Sequence, residues 1–146
     1  MSQTLWLYLD DIRIPEESAH FMNNQIYLDE RWVVVCNYEQ FTQKIKEFYA
    51  TECRLPDVIS FDHDLADAHY DPSMFKDPDA YNKLYDSFAE KTGYDCVKWL
   101  VQFSMDNKYL PLPPRCLVHT MNPVGRKNIT SYLANYMKFL EKMTDK

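Results

Sequence analysis

Glycine is nearly absent: Gly93 and Gly125 are the only two in 146 residues. A chain this poor in glycine keeps it where backbone must approach something closely, so both positions are marked. No CxxC pair occurs among Cys36, Cys53, Cys96 and Cys116, which argues against a zinc site built on them. They lie mostly in apolar segments, so the expectation is buried free thiols in a reducing cytoplasm. No run approaches the roughly 20 apolar residues of a membrane helix. The opening MSQTLWLYLDD has no basic region and meets two aspartates at once, unlike a secretory signal. No repeat or low-complexity linker is visible, so a single domain over residues 1–146 is expected.

Positive charge is also short, with 16 Lys and Arg against 22 Asp and Glu and a net charge of −6. Residues 62–91 hold eight of the acids and three of the bases, which is nearly the whole imbalance. Such a surface repels a long duplex backbone. The expected partner is a small phosphorylated ligand or a nucleic-acid terminus bridged by a cation, and not a membrane. The sequence leaves the oligomeric state open.

What is present alternates between apolar runs and amphipathic stretches. LWLYL (5–9) reads as a buried strand ending at Asp10-Asp11. Residues 11–31 show no clean period and contain Pro15 and Asn23-Asn24, so a loop is expected. WVVVC (32–36) is β-branched and aromatic, a second strand. Asn37 can cap a helix, with Gln40 three residues on and Phe41, Ile45, Phe48 and Tyr49 on its inner stripe. Pro56-Asp57 stops it. VISF (58–61) is a third strand, ending at Asp62-His63-Asp64. An acidic insertion follows at about 65–91. Within it Asp77-Pro78 can open a short helix with Tyr81, Leu84, Tyr85 and Phe88 on one stripe. This segment reads either as a lid over the strand ends or as scaffold packed on the body. Thr92 starts a stronger helix with Cys96, Val97, Leu100, Val101 and Ser104 inside. After the proline-rich break at 110–114, CLV (116–118) is a fourth strand ending at His119-Thr120. Asn122-Pro123 opens a last helix carrying Ile129, Tyr132, Leu133, Tyr136, Met137, Leu140 and Met143 at helical spacing. Apolar strands separated by helices predict an α/β fold with a parallel sheet covered on both faces.

Three of these four strands end in polar clusters, and open α/β sheets bind ligands beyond the carboxyl ends of their strands. In a spatial order 2-1-3-4, strands 1 and 3 are neighbours, and Asp10, Asp11, Asp62 and Asp64 converge. So many carboxylates do not stay ionised together without a cation, and oxygen-rich clusters suit Mg²⁺ or Mn²⁺. An aspartate after a strand is also an ordinary turn or cap residue. It is the coincidence of the clusters on one edge that carries the reading. Asp62-x-Asp64-x-x-Asp67 lacks the glycine of a calcium loop. Thr92 and Asp95 fit a capping box, which needs no ligand.

Arg126 and Lys127 fall in the first turn of the last helix, where positive charge opposes the helix dipole by about 0.3–1 kcal/mol each. An anion at that terminus reverses the penalty. His119, just upstream, is a natural proton donor or acceptor. A lone histidine at a strand end is more often structural; beside Asn122, Gly125 and Arg126 the functional reading is preferred.

Together Asp10-Asp11-x-Arg13-x-Pro15, Ser60-Phe61-Asp62-His63-Asp64-Leu65, Thr92-Gly93-Tyr94-Asp95 and His119-Thr120-x-Asn122-Pro123-x-Gly125-Arg126-x-Asn128 resemble the cyclic-phosphate-processing receiver-like domain family, over about residues 5–130. The resemblance implies a small receiver-like (flavodoxin-like) fold with about four strands, adapted to act on cyclic phosphates. It implies that Asp10, Asp11 and Asp62 match the acidic, metal-binding pocket of receivers. Asp62 falls where a receiver carries its phospho-accepting aspartate, and His63, Asp64, His119, Asn122 and Arg126 are what the family adds. Three departures weigh against phosphorelay signalling: a loop in place of the first helix, no fifth βα unit, and no clear counterpart of that unit's lysine.

The expected function is a metal-dependent phosphoesterase that opens a cyclic phosphate, in a cyclic nucleotide or at an RNA 2',3'-cyclic phosphate end. Asp10, Asp11 and Asp62, with Asp64, would hold Mg²⁺ or Mn²⁺ to polarise a phosphoryl oxygen and activate a bound water. Arg126 and the last helix's N-terminus, with Asn122, Gly125 and Asn128, would hold the phosphate. His63 and His119 would move the proton, one as base and one as acid. The alternatives are a non-enzymatic receiver-like phospho-acceptor and a nucleotide-sensing or sequestering module.

Overall fold

The computed structural model describes residues 3–63 and 92–144. Along the chain these form β1 (Trp6–Leu9), α1 (Pro15–Phe21), a 3₁₀ turn (Gln25–Leu28), β2 (Trp32–Val35), α2 (Tyr38–Glu52), β3 (Val58–Phe61), α3 (Gly93–Asp106), β4 (Arg115–Val118) and α4 (Pro123–Thr144). The strands build one parallel sheet in the order β2-β1-β3-β4, the expected 2-1-3-4. The insertion 65–91, its predicted helix, and Asp64 lie outside the described residues.

The two inner strands, β1 and β3, are buried along their whole length, which is why they read as unbroken apolar runs. Side chains alternate between the two faces of a strand. On one face Leu7, Leu9, Ile59 and Phe61 join Phe41, Ile45 and Phe48 of α2, Val97 and Leu100 of α3, and Ile129 and Leu133 of α4 in the main core. The other face presents Trp6, Tyr8, Val58 and Ser60. There Tyr8 Oη meets Ser18 Oγ of α1 at 2.5 Å, and Tyr27 of the 3₁₀ turn meets Ser60.

The expected loop over 11–31 is therefore corrected: it holds α1 and the 3₁₀ turn, which cover the sheet's second face. Pro15 occupies the first helical position, Glu16 and Glu17 fall in the first turn, and Glu17 Oε1 accepts from Ile14 N at 3.4 Å. Ser18 is the residue α1 buries, and it is polar. A helix of seven residues that buries a serine leaves no apolar period to detect.

One smaller expectation also changes. All four cysteines are free, but only Cys96 is buried; Cys36 and Cys116 are half-buried and Cys53 is exposed. Cys53 ends α2 in the left-handed conformation at φ 58°, and this turn carries it away from the core. On α4, Ile129, Leu133 and Tyr136 are buried, whereas Met137 and Met143 are exposed. The 22 residues of α4 make about 33 Å of helix, and four-residue strands span about 13 Å, so its last turns outrun the sheet. No helix among the described residues is long and apolar enough to cross a membrane.

Candidate functional site

Register builds the site. Leu9 pairs with Phe61, and Phe61 pairs with Val118, so these three residues share one rung. The next residue on each strand is Asp10, Asp62 and His119. The ladder extends through their amides: Asp10 N donates to Val35 O, Asp62 N to Leu9 O and His119 N to Phe61 O, each at 3.0 Å. Neighbouring strands lie about 4.8 Å apart and residues on one rung point the same way. Two carboxylates and an imidazole thus stand side by side at the carboxyl edge. Their ligating atoms lie within 4.8 Å of one another. Asp10, Asp62 and His119 are 2%, 5% and 0% exposed.

Asp10 is held from two sides. Its Oδ1 accepts from the amides of Ile12 and Arg13 at 3.0 and 2.9 Å, while its Oδ2 lies 3.1 Å from His119 Nε2. Burial alone would raise its pKa, but the hydrogen bonds from His119 and from the Arg13 and Ile12 amides outweigh this and lower it. Asp10 is therefore ionised and can only accept. Burial lowers the pKa of His119 against the pull of Asp10, and Arg13 and Arg126 push the same way as burial. The neutral ring that results carries its proton on Nε2, toward the carboxylate. The bare Nδ1 accepts from Ser60 Oγ at 2.7 Å, and Ser60 accepts from Tyr27 Oη at 2.7 Å. Tyr8 stacks flat on the imidazole at 4.3 Å between centroids.

A pocket of about 130 Å³ opens at this edge, walled by residues 10–13, Asp62 and residues 120–122. Of the residues singled out from sequence, Asp10, Asp11, Asp62 and Asn122 line it. His119 does not: it lies behind Asp10 with both ring nitrogens engaged. His63 is half-buried, and its ring packs on Gly125; a Cβ at 125 would meet it at 2.4 Å. Asn122 Oδ1 accepts from Gly125 N at 3.0 Å, so it caps α4. Arg126 Nη2 donates to Thr120 O at 3.1 Å and contacts Met22 Sδ at 3.6 Å, bracing the loop beside the pocket. Asn128 is exposed and apart from the pocket wall.

The structure adds residues that the sequence reading did not assign to the site. Arg13 lines the pocket, with its guanidinium 4.8 Å above the Phe21 ring. A cation two residues after Asp10-Asp11 was its visible signal. Ser60 is the one polar residue in VISF, and that interruption was its signal. Tyr27 had no signal, because it falls in the stretch read as loop.

The carboxylates of Asp10 and Asp62, this close and with Asp11 on the same pocket wall, are oxygen donors that suit a divalent cation, while His119 backs Asp10 from behind. A parallel 2-1-3-4 sheet with an acidic pocket beyond its two inner strands defines a receiver-like α/β domain. The chain belongs to the cyclic-phosphate processing receiver domain family, whose model matches residues 5–135. No curated protein and no solved structure matches the chain.

Proposed function

We propose that this chain is a metal-dependent phosphoesterase that opens a cyclic phosphate, in a cyclic nucleotide or at an RNA 2',3'-cyclic phosphate end. The observation that carries the reading is the crowding of Asp10 and Asp62, backed by His119, at a pocket that Asp11 and Arg13 also line, in a family named for cyclic-phosphate processing. Asp10, Asp11 and Asp62 are the proposed ligands of Mg²⁺ or Mn²⁺, with Asp64 a further candidate from its place in the sequence. When bound, such a cation polarises a phosphoryl oxygen and makes a bound water more acidic.

The chain's own groups supply the rest. Arg13 on the pocket wall is the proposed phosphate partner, and Arg126, held on the Thr120 carbonyl beside the pocket, adds positive charge nearby. His119, neutral and sealed behind Asp10, is a poor proton carrier. His63, half-buried one residue past Asp62, is the proposed one. In hydrolysis the oxygen of water bonds to phosphorus, one ring P–O bond breaks, and the proton lost by water ends on the freed sugar oxygen. His63 is proposed to carry that proton on a ring nitrogen.

The test is ³¹P NMR of 2',3'- and 3',5'-cyclic mononucleotides incubated with the protein and Mn²⁺ or Mg²⁺. A linear monoester should appear, EDTA and Asp62→Asn should stop it, and His63→Ala should slow it about 10²–10⁴-fold. Binding without turnover would overturn the reading in favour of a sequestering module. Stable phosphorylation of Asp62 by acetyl phosphate would favour a phospho-acceptor.

A further inference from the structure

We infer that Tyr27 and Ser60 are positioning residues, which with His119 form a buried hydrogen-bonded chain that aims one lone pair of Asp10 into the pocket. The inference rests on the reading of Asp10 as a metal ligand.

The chain runs from Tyr27 Oη to Ser60 Oγ at 2.7 Å, from Ser60 Oγ to His119 Nδ1 at 2.7 Å, and from His119 Nε2 to Asp10 Oδ2 at 3.1 Å. It joins the 3₁₀ turn, the middle of β3 and the ends of β4 and β1. All four residues are 2% exposed or less. No buried side-chain nitrogen or oxygen among the described residues lacks a partner. Direction follows from the acceptor end. An ionised carboxylate only accepts, so Nε2 carries the proton; Ser60 then donates to Nδ1, and Tyr27 donates to Ser60.

Aromatic contacts fix the ring as firmly as its polarity. Tyr8 lies parallel to His119 within 8°. Tyr27 meets the imidazole edge-on at 6.0 Å, and Trp32 stacks on Tyr27 at 5.6 Å. His119 therefore cannot turn to present Nδ1 to Asp10 without breaking both polar and stacking contacts.

The effect is read at Asp10. Two amides occupy Oδ1, and the Nε2 proton takes one lone pair of Oδ2. The remaining lone pair of Oδ2 keeps a fixed direction, because the carboxylate has no rotation left. Outer-shell hydrogen bonds of this kind orient the ligand and raise metal affinity by about 10–100-fold. They also explain why β3, otherwise apolar, spends a buried position on serine.

The experiment uses the full chain with two readouts. The first is the long-range ¹H–¹⁵N spectrum of the His119 ring in metal-free protein. The second is Mn²⁺ affinity, from the EPR signal of free Mn²⁺. Wild type should show the Nε2–H form, with Nδ1 shifted by an accepted hydrogen bond. Ser60→Ala should move the Nδ1 resonance and weaken Mn²⁺ binding about tenfold. Tyr27→Phe, which keeps the ring and removes one oxygen, should move both in the same direction by less. An Nδ1–H form in wild type overturns the inference. So does lowered thermal stability in both variants with Mn²⁺ affinity and Nδ1 unchanged, which is what a purely structural role gives. Wild type that shows the Nε2–H form but binds no Mn²⁺ instead removes the metal reading, and the positioning role with it.

Discussion

A Cβ built at position 93 would lie 1.7 Å from the carbonyl oxygen of Asp62 and 3.0 Å from Cα of His63. Both neighbours are backbone, so nothing flexible can yield. The amide of Gly93 also donates to His63 O at 2.7 Å, which ties the start of α3 to the corner carrying the acidic pocket. Gly93→Ala should exceed the roughly 1–3 kcal/mol usual for overpacking, as measured by urea unfolding; a loss near zero would mean that this corner moves freely. Gly125 differs, because what its Cβ would strike is the His63 side chain. The scarcity of glycine thus pointed correctly to both close approaches. Asp10, Asp11 and Asp62 were legible as residues of that edge because they follow buried runs, although an aspartate there also serves the turn, as Asp10 Oδ1 does toward the Ile12 and Arg13 amides. His119 was legible as a site residue but not as one that reaches the pocket only through Asp10. That distinction depends on which ring nitrogen meets which strand, and a linear sequence does not hold it.

The starts of α2 and α3 were legible because a side chain caps each. Asn37 Oδ1 accepts from Gln40 N at 2.8 Å, as the spacing predicted. Thr92 and Asp95 form the expected box: Asp95 N donates to Thr92 Oγ1 at 3.3 Å, and Thr92 N donates to Asp95 Oδ2 at 3.0 Å. Thr92→Ala should cost about 1 kcal/mol and lower Tm by about 2–4 °C for a chain of this size. Calorimetry checks this, and an unchanged Tm would mean that α3 is held by packing and the Gly93 contact alone. The start of α1 escaped notice because its cap position is Ile14, a residue with no hydroxyl or amide to announce it. At α4 the basic residues of the first turn pointed to an anion at the terminus, where Asn122 accepts from the Gly125 amide. The pattern of charges on that helix was real, but its partner includes the Thr120 carbonyl that Arg126 grips.

For the molecule as a whole, strand order was legible from connectivity and the resemblance, while register was not. The rung that aligns Asp10, Asp62 and His119 is a property of the assembled sheet. The same rung links stability to pH. The unfolded chain protonates His119 near the ordinary value of about 6.5, whereas the native ring, held neutral by burial, protonates only at lower pH. Between those values the unfolded state binds more protons, so stability is fully present above about pH 6.5 and falls as pH drops through the window. Urea unfolding in EDTA between pH 7.5 and 5 should show that decline. The stability gap between wild type and His119→Asn should narrow as pH falls; a gap that widens would mean the native imidazole is charged.

The bond between Asp10 and His119 spans 109 residues. At about 5–20 residues per second, a ribosome takes roughly 5–20 s to supply the second partner after the first. In that interval β1, β2 and β3 already have one another to pair with, but the slot beside β3 is vacant and Ser60 lacks its imidazole. The arrival of β4 is thus what closes the ladder and gives two buried polar groups their partner in one event. The pocket edge is therefore closed only when β4 and residues 120–122 arrive, and a nascent chain can own three strands of its sheet while that edge is still open.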